Sequence, residues 1–233
     1  VVIVFGCYIA GIVNAAFATG GVYIMLLAST SVLPVSHAIP LQTAFGLGSL
    51  SGRIFYFWRY INWRILYTFF LGSLVGVFMG TRAFVSFPEE LLSALLGVVL
   101  LIIIWAPSIK SIPSLKNPFF LVGVLHSFLG ALFGVGGILQ PIILRTQLRK
   151  FEITGTLAAC MLTLDLFKAI AYLSIGFNYL VYTPHIIGAI VSGFIGTWIG
   201  RRMTHHVSED GFRRVFRLLV SIVAIRFIFK GLF

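Results

Sequence analysis

The residues able to do chemistry in this 233-residue chain are two glycine-rich interruptions and a few ionisable side chains, all set in apolar sequence. The stronger interruption reads Gly134-Val135-Gly136-Gly137-Ile138-Leu139-Gln140-Pro141, and a weaker one reads Ala18-Thr19-Gly20-Gly21-Val22-Tyr23-Ile24-Met25. Where a helix breaks, the next helix begins with backbone N–H groups that lack partners. Those groups and the helix dipole attract anions. Two such ends meeting near the middle of a bilayer would cradle an oxyanion; the same glycines also suit close helix packing through small residues. Asn14, Thr19 and Gln140 stand at the breaks, and Gln42, Thr43, Thr154 and Thr156 follow them. Amides and hydroxyls donate to anion oxygens without fixing a full charge, although each alone also serves as an interhelical hydrogen bond. The candidate substrate site is therefore Asn14, Thr19, Gly20, Gly21, Gln42 and Thr43 in the first half, with Gly136, Gly137, Gln140 and Thr156 in the second.

Asp165 and Lys168 are three residues apart and share one helix face. Ionisable residues inside a membrane usually face the bundle interior and mark pathways or relays; a self-neutralising structural pair is the alternative. Arg53 holds nearly the corresponding place in the first half, each about 20 Å of rise from its helix start. Two cations are thus expected to flank an anion route, unless Arg53 is a snorkelling anchor beside Arg59. His126 lies ahead of the second break. It titrates near neutral pH and joins Asp165 as a candidate carrier of a coupling proton, with a buried hydrogen-bonded histidine as the simpler reading. His205 and His206 read as solvated, and Arg226 and Lys230 as snorkelling to an interface.

No HExxH, GxxxxGK[ST], GxSxG or CxxC pattern occurs. An enzyme would need a nucleophile–base pair or metal cluster that five histidines and two cysteines do not assemble. The expectation is a non-enzyme without cofactor or metal. Cys7 and Cys160 lie within apolar runs and do not suggest a disulfide framework.

The elements that must position these residues follow from composition. Hydrophobic residues make up 59% and charged residues 10%, with a mean hydropathy of +1.06, against about 25% charged in a soluble domain. No Asp, Glu, Lys or Arg occurs over 1–52, 117–144 or 169–200. Each window exceeds the roughly 20 apolar residues that cross a bilayer core. The net charge of +11 sits between apolar segments, which reads as membrane topology rather than nucleic-acid binding. Eight apolar segments can be drawn, at 1–33, 38–57, 65–87, 91–107, 118–144, 153–175, 180–200 and 212–233. The Pro-rich stretch 108–117 divides the chain into repeats at 1–107 and 118–233. Shifted by 116, Phe17, Gly20 and Gly21 fall on Phe133, Gly136 and Gly137; Gly72 falls on Gly188; Gly80-Thr81 falls on Gly196-Thr197. A four-residue insertion then aligns Pro88-Glu89-Glu90 with Ser208-Glu209-Asp210.

If all eight segments span, the basic loops divide between both sides. If the first segment of each half enters and returns, then Arg53, Arg59, Arg64, Lys110, Lys116, Arg145, Arg149, Lys150, Arg201 and Arg202 share one side. The positive-inside rule selects this second arrangement. It makes three crossings per half and therefore an inverted repeat. The fold expected is all-α and polytopic: two inverted-topology repeats of about four apolar segments, each opening with a broken or re-entrant segment, with both termini outside a cell inner membrane. The sequence opens on Val1 rather than Met, so a short stretch is expected before it, and no cleavable signal peptide is evident.

Gly130–Leu144 (GALFGVGGILQPIIL), Phe151–Thr163 (FEITGTLAACMLT) and Gly188–Arg202 (GAIVSGFIGTWIGRR) resemble the sulfite exporter TauE/SafE family, also called the toluene-sulfonate uptake permease family. The first half repeats the plan in AAFATGGVYIMLL, HAIPLQTAF and GSLVGVFMGTR, with Met25 where a proline is usual. The resemblance implies secondary transport of sulfite, sulfonates or related organosulfur anions, coupled to protons, and places the substrate at the Gly20–Gly21 and Gly136–Gly137 breaks. The partners implied are a small anion and the lipid bilayer; a homodimer is left open. A passive anion channel and an integral-membrane enzyme are the rival readings.

Overall fold

Apolar runs of this length in lipid must satisfy their backbone internally, which leaves the helix as the available element. The computed structural model describes residues 1–17, 20–105, 118–203 and 209–232. The described residues form α1 (Val2–Phe17), α2 (Gly21–Thr30), α3 (Val35–Phe45), α4 (Leu47–Phe57), α5 (Trp63–Ser86), α6 (Glu89–Trp105), α7 (Pro118–Phe133), α8 (Leu139–Ile143), α9 (Lys150–Ser174), α10 (Thr183–Met203) and α11 (Glu209–Leu232). No strand occurs among them. Short 3-10 turns cover Trp58–Tyr60 and Tyr179–Tyr182. The linker 108–117, Thr19 and His205-His206 lie outside the described residues.

Gly46 between α3 and α4 is itself helical, and the Gly46 and Leu50 amides donate to the Gln42 and Gly46 carbonyls at 3.0 Å. The ladder runs through, so α3 and α4 act as one rod. The 24 residues of α5 and 25 of α9 each rise about 36 Å or more, enough to cross a core about 30 Å thick. Polarity is inside out. Phe55, Tyr67, Phe78, Leu166, Ile170 and Ile222 are exposed, whereas Gln42, Arg53, His126, Thr156 and Lys168 are buried. Exposed apolar surface on this scale requires lipid around it. The chain is an all-α, multi-pass membrane protein.

Helices meet through glycines whose missing Cβ admits a neighbouring carbonyl. On α5, Gly72, Gly76 and Gly80 receive the carbonyls of Phe120, Val124 and Phe128 on α7. On α10, Gly196 and Gly200 receive those of Tyr8 and Ile12 on α1. Both pairs run parallel. Val124 and Phe128 lie 116 residues beyond Tyr8 and Ile12, yet Gly196 and Gly200 lie 120 beyond Gly76 and Gly80. This corrects the sequence alignment: the four-residue insertion falls before α10, so Gly76 and Gly80, not Gly72 and Gly80, are the counterparts of the α10 glycines at the contact. A backbone-to-backbone fit, rather than the order of glycines, sets that register.

Among the described residues, the basic loops collect at one end of the bundle. There Arg201 lies 4.0 Å from the Tyr56 ring centroid, and Phe151 stacks on Phe57 at 5.5 Å. At the other end the Glu89 carboxylate accepts from the Val35 and Ser36 amides at 2.6 and 3.0 Å, capping α3. Tyr179 meets Thr43 at that same end. Because α1 runs parallel to α10, and Gly231 of α11 packs on the Glu90 carbonyl, both chain ends lie at the Glu89 end.

Gly76→Val and Gly196→Val each push a side chain into a carbonyl that cannot retreat. Each is expected to lower stability by about 1–3 kcal/mol, read as a lower unfolding temperature of the purified protein in detergent.

Candidate functional site

The first break is a tight return. Gly20 has φ 100°, a left-handed geometry that glycine alone adopts readily. The chain then doubles back along α1, with Gly6 against Ala28 and Gly21 against the Ala10 carbonyl. At the turn the Asn14 Oδ1 accepts from the Gly21 amide at 3.0 Å. Asn14 thus caps the helix that follows the break, supplying the acceptor that water would supply at a surface.

The second break, 134–138, is solved by a different side chain. Gly134 and Gly137 have φ of 76° and 68°. The chain folds over the imidazole of His126, and any side chain on Gly136 would strike that ring. His126 Nδ1 accepts from the Ile138 amide at 3.2 Å and the Leu139 amide at 3.1 Å. A ring nitrogen that accepts carries no proton, so the imidazole is neutral with its proton on Nε2. α8 is only five residues long, and Pro141 falls in its first turn, where its absent N–H leaves no intrahelical bond unmade. The Gly136 and Gly137 amides have no hydrogen-bond acceptor among the described residues.

Gln42 ties the breaks together. With its amide oriented to satisfy both neighbours, Nε2 donates to the Gly134 carbonyl at 2.9 Å and Oε1 accepts from the Leu26 amide at 3.3 Å. The Tyr172 hydroxyl donates to the Ala131 carbonyl and holds the end of α7 against α9.

Between the breaks lies a cavity of about 80 Å³, room for a small oxyanion or a few waters. Asn14 and Gly20 line it from the first break, and Gly134, Gly136, Gly137 and Gln140 from the second. Arg53 of α4, His126 of α7, and Asp165 and Lys168 of α9 complete the polar wall. Lys168 Nζ stands 3.6 Å from Asp165 Oδ1. Arg53 is 4% exposed, makes no hydrogen bond or ion pair among the described residues, and has an orphaned Nε. The Gln140 Oε1 is likewise buried without a partner. A buried guanidinium that feels Asp165 across the cavity but bonds to nothing, beside backbone amides without acceptors, is a set of donors for an anion.

Most of the residues singled out from the sequence therefore meet. Asn14, Gly20, Gly136, Gly137 and Gln140 do so, together with Arg53, His126, Asp165 and Lys168. Gly21 and Gln42 stand behind the wall as its backbone supports. Thr43 and Thr156 are placed elsewhere. The Thr43 hydroxyl donates to the Pro40 carbonyl at 2.7 Å and faces Tyr179, away from the cavity. Thr156 Oγ1 accepts from the Asn62 amide at 2.9 Å near the basic end of the bundle. Each hydroxyl is consumed by a backbone group on its own side of the helix. Arg53 is no interfacial anchor: burial within the bundle corrects that reading.

Tyr23 and Ser49 also line the cavity and escaped notice in the sequence. Helical spacing carried a signal for Ser49, since Gly46, Ser49 and Arg53 fall on one face at steps of three and four. Met161, Asp165 and Lys168 do the same on α9.

His126→Leu strands two amides, one buried and one part-buried, and is expected to cost about 2–5 kcal/mol, whereas His126→Gln, which keeps an acceptor, recovers part of it. Thermal unfolding of the two purified variants checks this, and the reverse order of stability would show that His126 is not a cap.

No curated protein and no solved structure matches the chain. The family model described as Sulfite exporter TauE/SafE matches residues 3–227, a span that holds both breaks, their caps and the whole charged wall. The chain belongs to the sulfite exporter TauE/SafE family of membrane transporters.

Proposed function

We propose that this protein is a secondary carrier of a small sulfur-containing anion, sulfite or a sulfonate, which binds in the cavity between the two breaks and crosses by alternating access. The observation that carries the proposal is a buried Arg53 without a hydrogen bond or contact ion pair, placed with the acceptor-free amides of Gly136 and Gly137 around one cavity. A buried cation without a countercharge in contact is costly in a low-dielectric interior. An anion drawn from water removes that cost while it is bound.

The movement proposed is a rocking of two inverted repeats, 1–107 and 118–233, around this site. Reciprocal packing supports it: α1 lies along α10 and α7 along α5, each pair in parallel, while α1 starts at the Glu89 end of the bundle and α7 at the basic end. With the basic loops facing the cytoplasm, both termini lie outside the inner membrane. Coupling to protons belongs to the same reading. The His126 lone pair on Nδ1 is engaged by two amides, which leaves Asp165, in the cavity wall beside Lys168, as the group able to exchange a proton during the cycle. A small cavity bounded by discrete charges, rather than a continuous pore, favours a carrier over an open anion channel.

Uptake by proteoliposomes distinguishes these readings. A saturating sulfite or sulfonate flux that shows counterflow is expected, and single-channel currents or a preference for cations would overturn the assignment. Lys168→Met is expected to lower the flux by about tenfold or more, since it removes a full charge from a poorly screened site. Unchanged flux at normal expression would remove Lys168 from the site.

A further inference from the structure

We infer that the cavity selects its substrate by charge number and takes a monoanion, hydrogen sulfite or a sulfonate, in preference to the sulfite dianion or sulfate. The inference rests on the carrier reading above and specifies the species that binds.

The net charge of the cavity wall decides which anion fits. Arg53 contributes one positive charge, and guanidinium groups keep their proton in proteins. Lys168 and Asp165 are in contact at 3.6 Å. As the ion pair that this contact makes, amine protonated and carboxyl ionised, the two sum to zero. His126 is neutral because its Nδ1 accepts from two amides. The other titratable groups of the wall are Cys7 from α1 and Tyr23 from α2, both uncharged at neutral pH in their ordinary state. The cavity therefore holds one net positive charge, and that charge is the buried Arg53, whose Nε has no partner.

A monoanion brings the site to neutrality. A dianion leaves one negative charge uncompensated among apolar walls that include Leu50, Leu157 and Leu164, and such a charge is strongly disfavoured away from water. The Asp165 carboxylate adds to the discrimination, because it lines the same cavity and repels the second charge. Shape does little to separate these ligands, since sulfate and methanesulfonate are close in size. Charge is what the wall distinguishes.

Counterflow in proteoliposomes held at one pH on both sides tests this without a proton gradient. Methanesulfonate stays a monoanion and sulfate a dianion across the neutral range. Sulfite passes from monoanion to dianion as pH rises. Methanesulfonate is expected to compete for the loaded label at least about tenfold better than sulfate. The sulfite rate, normalised to methanesulfonate at each pH, is expected to fall as the hydrogen sulfite fraction falls. Asp165→Asn raises the net charge of the wall from one to two and is expected to improve sulfate competition relative to methanesulfonate. Sulfate competing as well as methanesulfonate in the unmodified protein, or a normalised sulfite rate that rises with pH, overturns the inference and does not depend on whether the variant folds. Absence of counterflow with every sulfur anion instead overturns the carrier reading on which it rests.

Discussion

A peptide N–H buried inside a membrane bundle has no water to turn to, and the architecture around both breaks follows from that constraint. A helix interrupted there exposes the first amides of its second part. Asn14 and His126 answer this need with different chemistry at comparable places, one with a side-chain amide oxygen and the other with a ring nitrogen. Glycine is required beside each cap for a steric reason. Gly21 must let Asn14 and the Ala10 carbonyl approach, and Gly136 must pass over the imidazole. Capping leaves few break amides without an acceptor, and the glycines that carry them, Gly136 and Gly137, line the cavity.

The cavity is polar because its charges are neither removed nor fully paired. Lys168 and Asp165 come from adjacent turns of one helix and neutralise one another locally. Arg53 arrives from a different rod and has no such neighbour within bonding distance. Burying a guanidinium this way lowers stability, and the structure retains it at the point where both broken segments converge. The resulting asymmetry of charge, more than the number of hydrogen-bonding groups, is what the proposed preference for anions rests on.

Packing elsewhere serves to hold this arrangement still. Lipid offers no hydrophobic drive between helices, so α5 and α7, and likewise α1 and α10, close on one another through glycine-to-carbonyl contacts. These contacts bring the broken segments against long, unbroken helices. Glu89 adds an anchor at the opposite end from the basic loops by capping α3, so the rod that carries Arg53 is fixed at its start by α6.

Much of this was readable in the amino-acid order alone. Apolar runs named the helices. The clusters at Gly20 and Gly134–Gly137 marked the breaks, and the three-residue spacing of Asp165 and Lys168 predicted their pair. Such features are local: they depend on length, backbone freedom and helical period, which neighbouring residues encode directly. Rotation and depth of one helix against another are not local. That is why Arg53 is a cavity residue rather than an interfacial anchor, why Thr43 and Thr156 turn to backbone partners away from the site, and why α10 sits one turn out of the register that its glycines suggested. His126 shows the distinction most clearly. Its protonation behaviour was inferred from its residue type, but its role depends on a chain that returns twelve residues later to place two amides on its ring nitrogen, and only the folded path of the backbone brings those atoms together.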